Sequence, residues 1–169
     1  ICAAVTAVWQ VTQNMKAIRS VIKSFKGMEH RLEFVREIDG VSYYDDSFGT
    51  TPETAIVAIE AFDQPKIVIL GGSDKGSKYT ELAKAVSNNN VKKVLLIGQM
   101  AAAIKSELDK VGFADYIDGG SSMKEMIDIA RKNASKDDVV LLSTGCASFD
   151  MFKNYKDRGE QFKKSVQAL

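Results

Sequence analysis

Three observations predict an α/β fold built on a mostly parallel, Rossmann-like sheet. Short apolar runs recur along the chain at Lys66–Leu70 (KIVIL), Lys93–Ile97 (KVLLI) and Val139–Leu142 (VVLL). Each is too short for a helix and suits a strand buried on both faces. Helix-length segments separate these runs, and strands alternating with helices imply crossover connections and parallel pairing. Near the start, Asp39–Gly40 lies between two β-prone runs. That pair signals a hairpin and adds one antiparallel strand.

The segment from Ile1 to about Thr12 (ICAAVTAVWQVT) is apolar on nearly every face, the pattern of a helix buried all round. Little remains there to bury it, and the first residue is Ile rather than Met, so a fragment of a longer protein is expected. Thr12 is the expected cap of a second helix, Gln13–Phe25, with a stripe through Ile18, Ile22 and Phe25 and with Gly27 as its stop.

From Arg31 the period becomes that of strands, with Leu32–Ile38 and Val41–Ser47 flanking the hairpin turn. Thr51 as cap and Pro52 in the first turn open a helix to Phe62. The strand Lys66–Leu70 follows and ends at Gly71–Gly72. Next come a helix at Tyr79–Ser87, the strand Lys93–Ile97, a helix at Met100–Val111 and a short strand at Tyr116–Asp118. Ser122 and Glu125 form a capping box that opens a helix to about Ala134. After Val139–Leu142 comes a small-residue loop, Ser143–Ala147. Ser148, Phe149 and Asp150 are expected to open a helical segment, and Asp157–Leu169 reads as helix.

The 169 residues, 45% hydrophobic and 27% charged, are enough for one domain with a core and an appendage. A net charge of +1 without long runs of one sign argues against nucleic acid as the main partner. No apolar run reaches membrane-spanning length, and the first residues lack a basic leader and a cleavage site. Cys2 and Cys146 form no CxxC pair, which fits a reducing compartment such as the cytosol. His30 is the only histidine, so a multi-histidine metal centre is excluded.

In a sheet of this kind ligands bind outside the carboxyl ends of the strands. Three loops follow parallel strands and share that edge: Asp45–Thr51, Gly71–Lys78 and Ser143–Ser148. Pooled, they offer Asp46, Ser47, Thr50, Thr51, Lys75, Lys78 and Ser148. Hydroxyls and lysine beside a helix N-terminus suit a small anion such as an amino-acid dicarboxylate.

The loop GGSDKGSK lacks the lysine of a phosphate-binding loop, because Ser77 stands in its place, and it also fails G-x-G-x-x-G. Nucleotide hydrolysis by this loop and a dinucleotide-dependent oxidoreductase are therefore disfavoured. Asp45 and Asp46 are neighbours at a strand end, so their side chains point to opposite faces. They do not form a carboxylate dyad; at most one faces the site, and the plain reading of both is a solvated turn. His30 reads as ordinary linker polarity, Cys146 as a small buried residue, and no spacing supports a Ser-His-Asp triad.

LLSTGCASFDMFKNYKDRGEQF from Leu141, together with His30–Arg31, DDSFGTTPETA from Asp45 and LGGSDKG from Leu70, resembles the Mur ligases, most closely those that add D-glutamate. The motifs occur in the family's order, and the resemblance extends over the whole chain. The resemblance implies residues 1–29 as the helical end of a central ATP-binding domain. Residues 30–169 then form a Rossmann-like C-terminal domain that brings the incoming amino acid. It implies that Thr50, Lys75 and Ser148 hold D-glutamate, assisted by Phe149 and Tyr155 partly through backbone N–H groups. Arg31 and Asp46 would contact ATP.

The chemistry implied is phosphorylation of UDP-N-acetylmuramoyl-L-alanine by ATP with Mg2+, then attack by the D-glutamate amine, in the cytoplasm. The phosphate loop, the metal ligands and any catalytic residue would lie outside this chain, which alone is expected to be inactive. Where many members carry lysine in DSKAT, this chain has Phe48. A stand-alone α/β module that binds a small anion without catalysis is the alternative.

Overall fold

The computed structural model describes residues 1–169. Two short helices, α1 (Cys2–Trp9) and α2 (Met15–Ser24), precede an α/β unit. That unit runs β1 (Glu33–Ile38), β2 (Val41–Asp45), α3 (Pro52–Glu60), β3 (Lys66–Gly71), α4 (Thr80–Asn88), β4 (Val91–Ile97), α5 (Ala101–Lys110), β5 (Tyr116–Asp118), α6 (Met123–Asn133), β6 (Val139–Leu142) and α7 (Tyr155–Gln167). None of these helices is long and apolar enough to cross a membrane.

The six strands form one sheet in the order β1-β2-β6-β3-β4-β5. β1 pairs antiparallel with β2 and every other pairing is parallel, as the sequence predicts. Asp39 and Gly40 both have positive φ, 54° and 78°, which matches the twist a two-residue hairpin needs. β6 is inserted between β2 and β3, with Val140 opposite Tyr43 on one side and Ile67 on the other.

β3 and β6 are buried at every residue, as central parallel strands should be. Side chains alternate between two cores. Val68, Leu70, Val94, Leu96 and Leu141 pack with Ala55 and Ile59 of α3, Leu82 and Val86 of α4, and Ile104 and Leu108 of α5. Ile67, Ile69, Leu95, Val140 and Leu142 pack with Met126 and Ile127 of α6 and Phe162 and Val166 of α7.

Four sequence expectations are corrected. α1 has no buried residue, although its all-round apolar character predicts burial on every side. In α2 only Ile18 is buried, while Ile22 and Phe25 remain exposed. The two helices face each other across an apolar groove of about 400 Å3 that includes Val5, Val8, Ile18, Val21 and Phe25. The cap of α2 is Asn14, whose side chain accepts from the Ala17 N–H, 3.1 Å; Thr12 Oγ1 instead accepts from the N–H of Asn14.

The fourth correction concerns Ser148–Asp150, which does not open a helix. The Ser148 carbonyl accepts from the N–H of Met151 and of Phe152, a single turn. α7 begins only at Tyr155, capped by the Asn154 side chain on the Asp157 N–H. The helix-dipole argument for an anion seat at Ser148 therefore falls, because no helix begins there: the nearest following helix starts at Tyr155.

Candidate functional site

Because β6 lies between β2 and β3, the loops that leave the carboxyl ends of these three strands are neighbours. Backbone hydrogen bonds lace them together. Gly71 N–H donates to the Thr144 carbonyl and Ser73 N–H to the Ala147 carbonyl, both 2.9 Å. Such close passage needs glycine. A Cβ at Gly71 would lie 2.0 Å from the Ile97 carbonyl oxygen, and one at Gly72 2.2 Å from that of Ala147. Both glycines also sit at positive φ, 123° and 140°.

A cavity of about 200 Å3 opens where the loops meet. It is lined by Phe48 and Thr50 from the loop after β2, and by Lys75 from the loop after β3. Ala147, Ser148 and Phe149 after β6, and Tyr155 at the start of α7, complete it. The volume is below the roughly 300–1,000 Å3 of sites for drug-sized ligands and suits a small metabolite. All five residues expected to hold the small anion, Thr50, Lys75, Ser148, Phe149 and Tyr155, thus border one space. Lys75 is exposed, Ser148 is buried, and the Phe149 side chain is 70% exposed. The Phe149 N–H, expected to face a ligand, instead donates to Ser73 Oγ, 2.9 Å.

The other pooled residues have structural partners. Thr51 caps α3 in a reciprocal pair with Thr54, and Lys78 is exposed outside the lining. Asp45 and Asp46 do not form a solvated turn: they are buried, at 0% and 4% exposure. Asp45 pairs with His30, Oδ2 to Nδ1 at 2.7 Å, and accepts from the Ser47 N–H at 2.8 Å. Asp46 accepts from Ser143 Oγ at 2.7 Å and from the Leu32 N–H at 3.2 Å. The two carboxylates take different partners, as their alternation on the strand predicts. Burial pushes both carboxyls above the usual carboxylate range, against the pull of those hydrogen bonds.

His30 is likewise buried rather than part of a surface linker. Its second nitrogen, Nε2, lies 4.0 Å from Glu160, so the histidine sits between two carboxylates and not in a serine triad. Cys146 is buried beside the Tyr79 hydroxyl at 3.1 Å, and burial pushes its thiol up and away from nucleophilic use. Arg31 is exposed, its guanidinium carbon 4.5 Å from the centroid of the Phe48 ring.

Arg158 was not singled out by sequence reasoning. Fully buried, it donates from Nε to Ser47 Oγ (2.8 Å), from Nη2 to the Ser47 carbonyl (2.9 Å) and from Nη1 to the Cys146 carbonyl (3.2 Å). One side chain therefore ties the loop after β2 to the loop after β6, two of the three cavity walls. Burial pulls its guanidinium down to about 10, so it is charged at neutral pH. A signal was present: Arg158 precedes Phe162 by four residues and so falls on the apolar stripe of α7.

Comparison with known proteins places the chain. The family profile described as "Mur ligase, glutamate ligase domain" matches residues 30–146. A UDP-N-acetylmuramoylalanine–D-glutamate ligase of Thermoanaerobacter sp. (strain X514) is 46% identical over 153 residues, 90% of this chain and 34% of the relative. The protein of the same name from Lachnospira eligens is 44% identical over 169 residues, 100% of this chain and 37% of the relative.

The crystal structure of a UDP-N-acetylmuramate-alanine ligase from Thermotoga maritima superposes with a TM-score of 0.68 at 12% identity, over 98% of this chain and 36% of that one, a likeness of fold. The chain spans about a third of the length of the curated relatives it matches. With two thirds of its residues inside the family profile and its fold shared, the chain belongs to the Mur ligase family, as a glutamate ligase domain.

Proposed function

We propose that this chain is the amino-acid-binding domain of a ligase that adds D-glutamate to UDP-N-acetylmuramoyl-L-alanine in peptidoglycan synthesis. The carrying observation is the convergence of Thr50, Lys75 and Ser148, from three chain-distant loops, on one small cavity. Two hydroxyls and one ammonium suit the carboxylates of D-glutamate, and Phe149 and Tyr155 wall the aliphatic part. The names of relatives 44–46% identical support the choice of amino acid.

In this reading residues 30–169 bring the nucleophile, and residues 1–29 are the helical end of a central ATP-binding domain. The family profile begins at residue 30, which supports that boundary. ATP, bound mainly outside this chain, phosphorylates the alanine carboxylate. The amine of D-glutamate attacks the acyl phosphate carbonyl, an amide forms and phosphate leaves. The domain contributes by holding that amine in line, a proximity effect.

Arg31, exposed at the junction, is read as a contact for ATP; Asp46, expected to share that role, is 4% exposed and holds the Leu32 N–H beside Arg31. Mg2+ does not fit the cavity: its lining holds no carboxylate, and Asp45 and Asp46 are committed to internal partners. The metal would be held elsewhere in the longer protein, which works in the cytosol.

In the full-length protein, Lys75→Ala is expected to raise KM for D-glutamate at least about tenfold, the loss of one charged contact, with a much smaller change in KM for ATP. Equal effects on both substrates would overturn the assignment. Titration of D-glutamate into the 169-residue chain should shift the amide signals of Thr50, Lys75 and Ser148. Shifts confined to other regions would count against the cavity.

A further inference from the structure

Arg31 stands between two residues whose backbones lie in the left-handed region, His30 at φ 59° and Leu32 at φ 44°. Non-glycine residues hold that conformation when surrounding contacts impose it. Here the contacts are explicit. The His30 N–H donates to Glu33 Oε2, 2.9 Å, and its ring pairs with Asp45, 2.7 Å. The His30 carbonyl accepts from the Phe48 N–H, 2.9 Å, and the Leu32 N–H donates to Asp46, 3.2 Å. The acidic pair thus fastens both neighbours of Arg31.

The guanidinium itself rests on the Phe48 ring, 4.5 Å from its centroid. Tyr155 grips that ring edge-on, 4.9 Å between centroids at 85°. Phe48 and Tyr155 also line the cavity, so one aromatic pair borders the ligand space and carries an exposed cation.

We propose that Phe48 is a positioning residue whose ring, steadied by Tyr155, holds the Arg31 guanidinium at the border of the cavity for a phosphate-bearing ligand. A guanidinium stacked on an aromatic face keeps its edge N–H donors free for bidentate contact with phosphate. Lysine at position 48 would remove the platform and set a second cation beside Arg31. Phenylalanine there leaves Arg31 as the cation stacked on this aromatic pair and Lys75 as the cation on the cavity wall after β3. The identity of the ligand as a nucleotide rests on the function proposed above, whereas the stacking geometry does not.

The test has two arms. In the 169-residue chain, ring current from Phe48 should move the Arg31 side-chain protons upfield in the NMR spectrum. Phe48→Leu should abolish that shift and Phe48→Tyr should keep it. In the full-length protein, Phe48→Leu should raise KM for ATP about fivefold, and Phe48→Tyr should restore it. In an Arg31→Ala background, Phe48→Leu should add nothing further to KM for ATP.

Arg31 shifts unchanged by Phe48→Leu would overturn the stack. A full Phe48→Leu effect in the Arg31→Ala background would overturn the positioning role, because the ring would then act by itself. Failure of the wild-type parent to release phosphate in a D-glutamate-dependent way would overturn the ligase reading instead, an outcome separate from the shift measurement.

Discussion

Buried polar side chains set the geometry around the cavity. Asp45, Asp46, His30 and Arg158 occupy the ground between the loops, and each is matched by partners distant in sequence. For Asp46 the balance of burial against hydrogen bonding has a consequence for pH. Its carboxyl is pushed up by burial, so the folded protein holds the proton more tightly than the unfolded chain does. Its contribution to stability is therefore greatest below the usual carboxylate range, and it declines as pH rises through the raised value. Asp46→Asn keeps an oxygen acceptor and removes the charge. The melting temperature of the variant relative to wild type is expected to be most favourable near neutral pH. That advantage should shrink on acidification toward the usual carboxylate range; the opposite trend would contradict the account.

At the same scale the sequence was legible for side chains that face open space and illegible for those that face each other. Thr50, Lys75 and Ser148 can be pooled because each sits in a loop after a parallel strand. Asp45, Asp46 and His30 read as surface polarity, because nothing local marks a carboxylate that will be enclosed. Burial of a charged residue is unusual unless it is paired. The Ser143 hydroxyl that accompanies Asp46 lies 97 residues away, beyond any local pattern.

At the level of elements, the first turns of α7 show how helix packing protects the buried pair. Gly159 lies within that helix, where glycine costs about 1 kcal/mol relative to alanine by propensity. A Cβ there would come within 2.2 Å of His30 Nδ1 and 2.6 Å of Asp45 Oδ2. Gly159→Ala should therefore lower stability by about 2 kcal/mol, because the clash with a buried pair outweighs the gain in propensity. Urea unfolding measures this, and a midpoint unchanged or raised would show that the helix can lift away without cost.

The α1–α2 hairpin gives the opposite case. Ile18 is its only buried residue, and its apolar groove faces outward. Removal of residues 1–28 should cost the sheet unit no more than about 3 kcal/mol, the upper value for burying one such side chain. It should also reduce binding of a hydrophobic dye such as ANS. A large drop in the unfolding midpoint would mean that these helices support the sheet after all. Element types were read well from periodicity and turn chemistry: the hairpin, the Thr51–Pro52 helix start and the Ser122–Glu125 capping box all appear. The misreadings fall where chain direction changes without a period to follow, at Thr12–Asn14 and across Ser148–Asn154.

For the whole molecule, lateral strand order decides where ligand chemistry can occur. β5 is an edge strand, and the chain returns from it to lay β6 back against β3, between β3 and β2. Loops that leave adjacent strands in divergent directions open a crevice, the usual place for a ligand in an open α/β sheet. The cavity forms there, and it forms in a unit whose two cores are complete without α1 and α2.

Taken by itself, the order of residues determined which segments are strands and helices, where the hairpin turns, and which strands lie in the middle of the sheet. These properties follow from short-range sterics, from the alternation of apolar side chains and from the conformational freedom of single residues such as Gly40. The family likeness pointed to five of the seven residues that line the cavity, without the packing that brings them together. Only the tertiary structure decided that β6 separates β2 from β3, that Arg158 binds two loops together, and that Phe48 carries Arg31. Strand neighbours and the partners of buried charges are settled by long-range pairing, in which desolvation must be offset by groups that the linear chain keeps far apart.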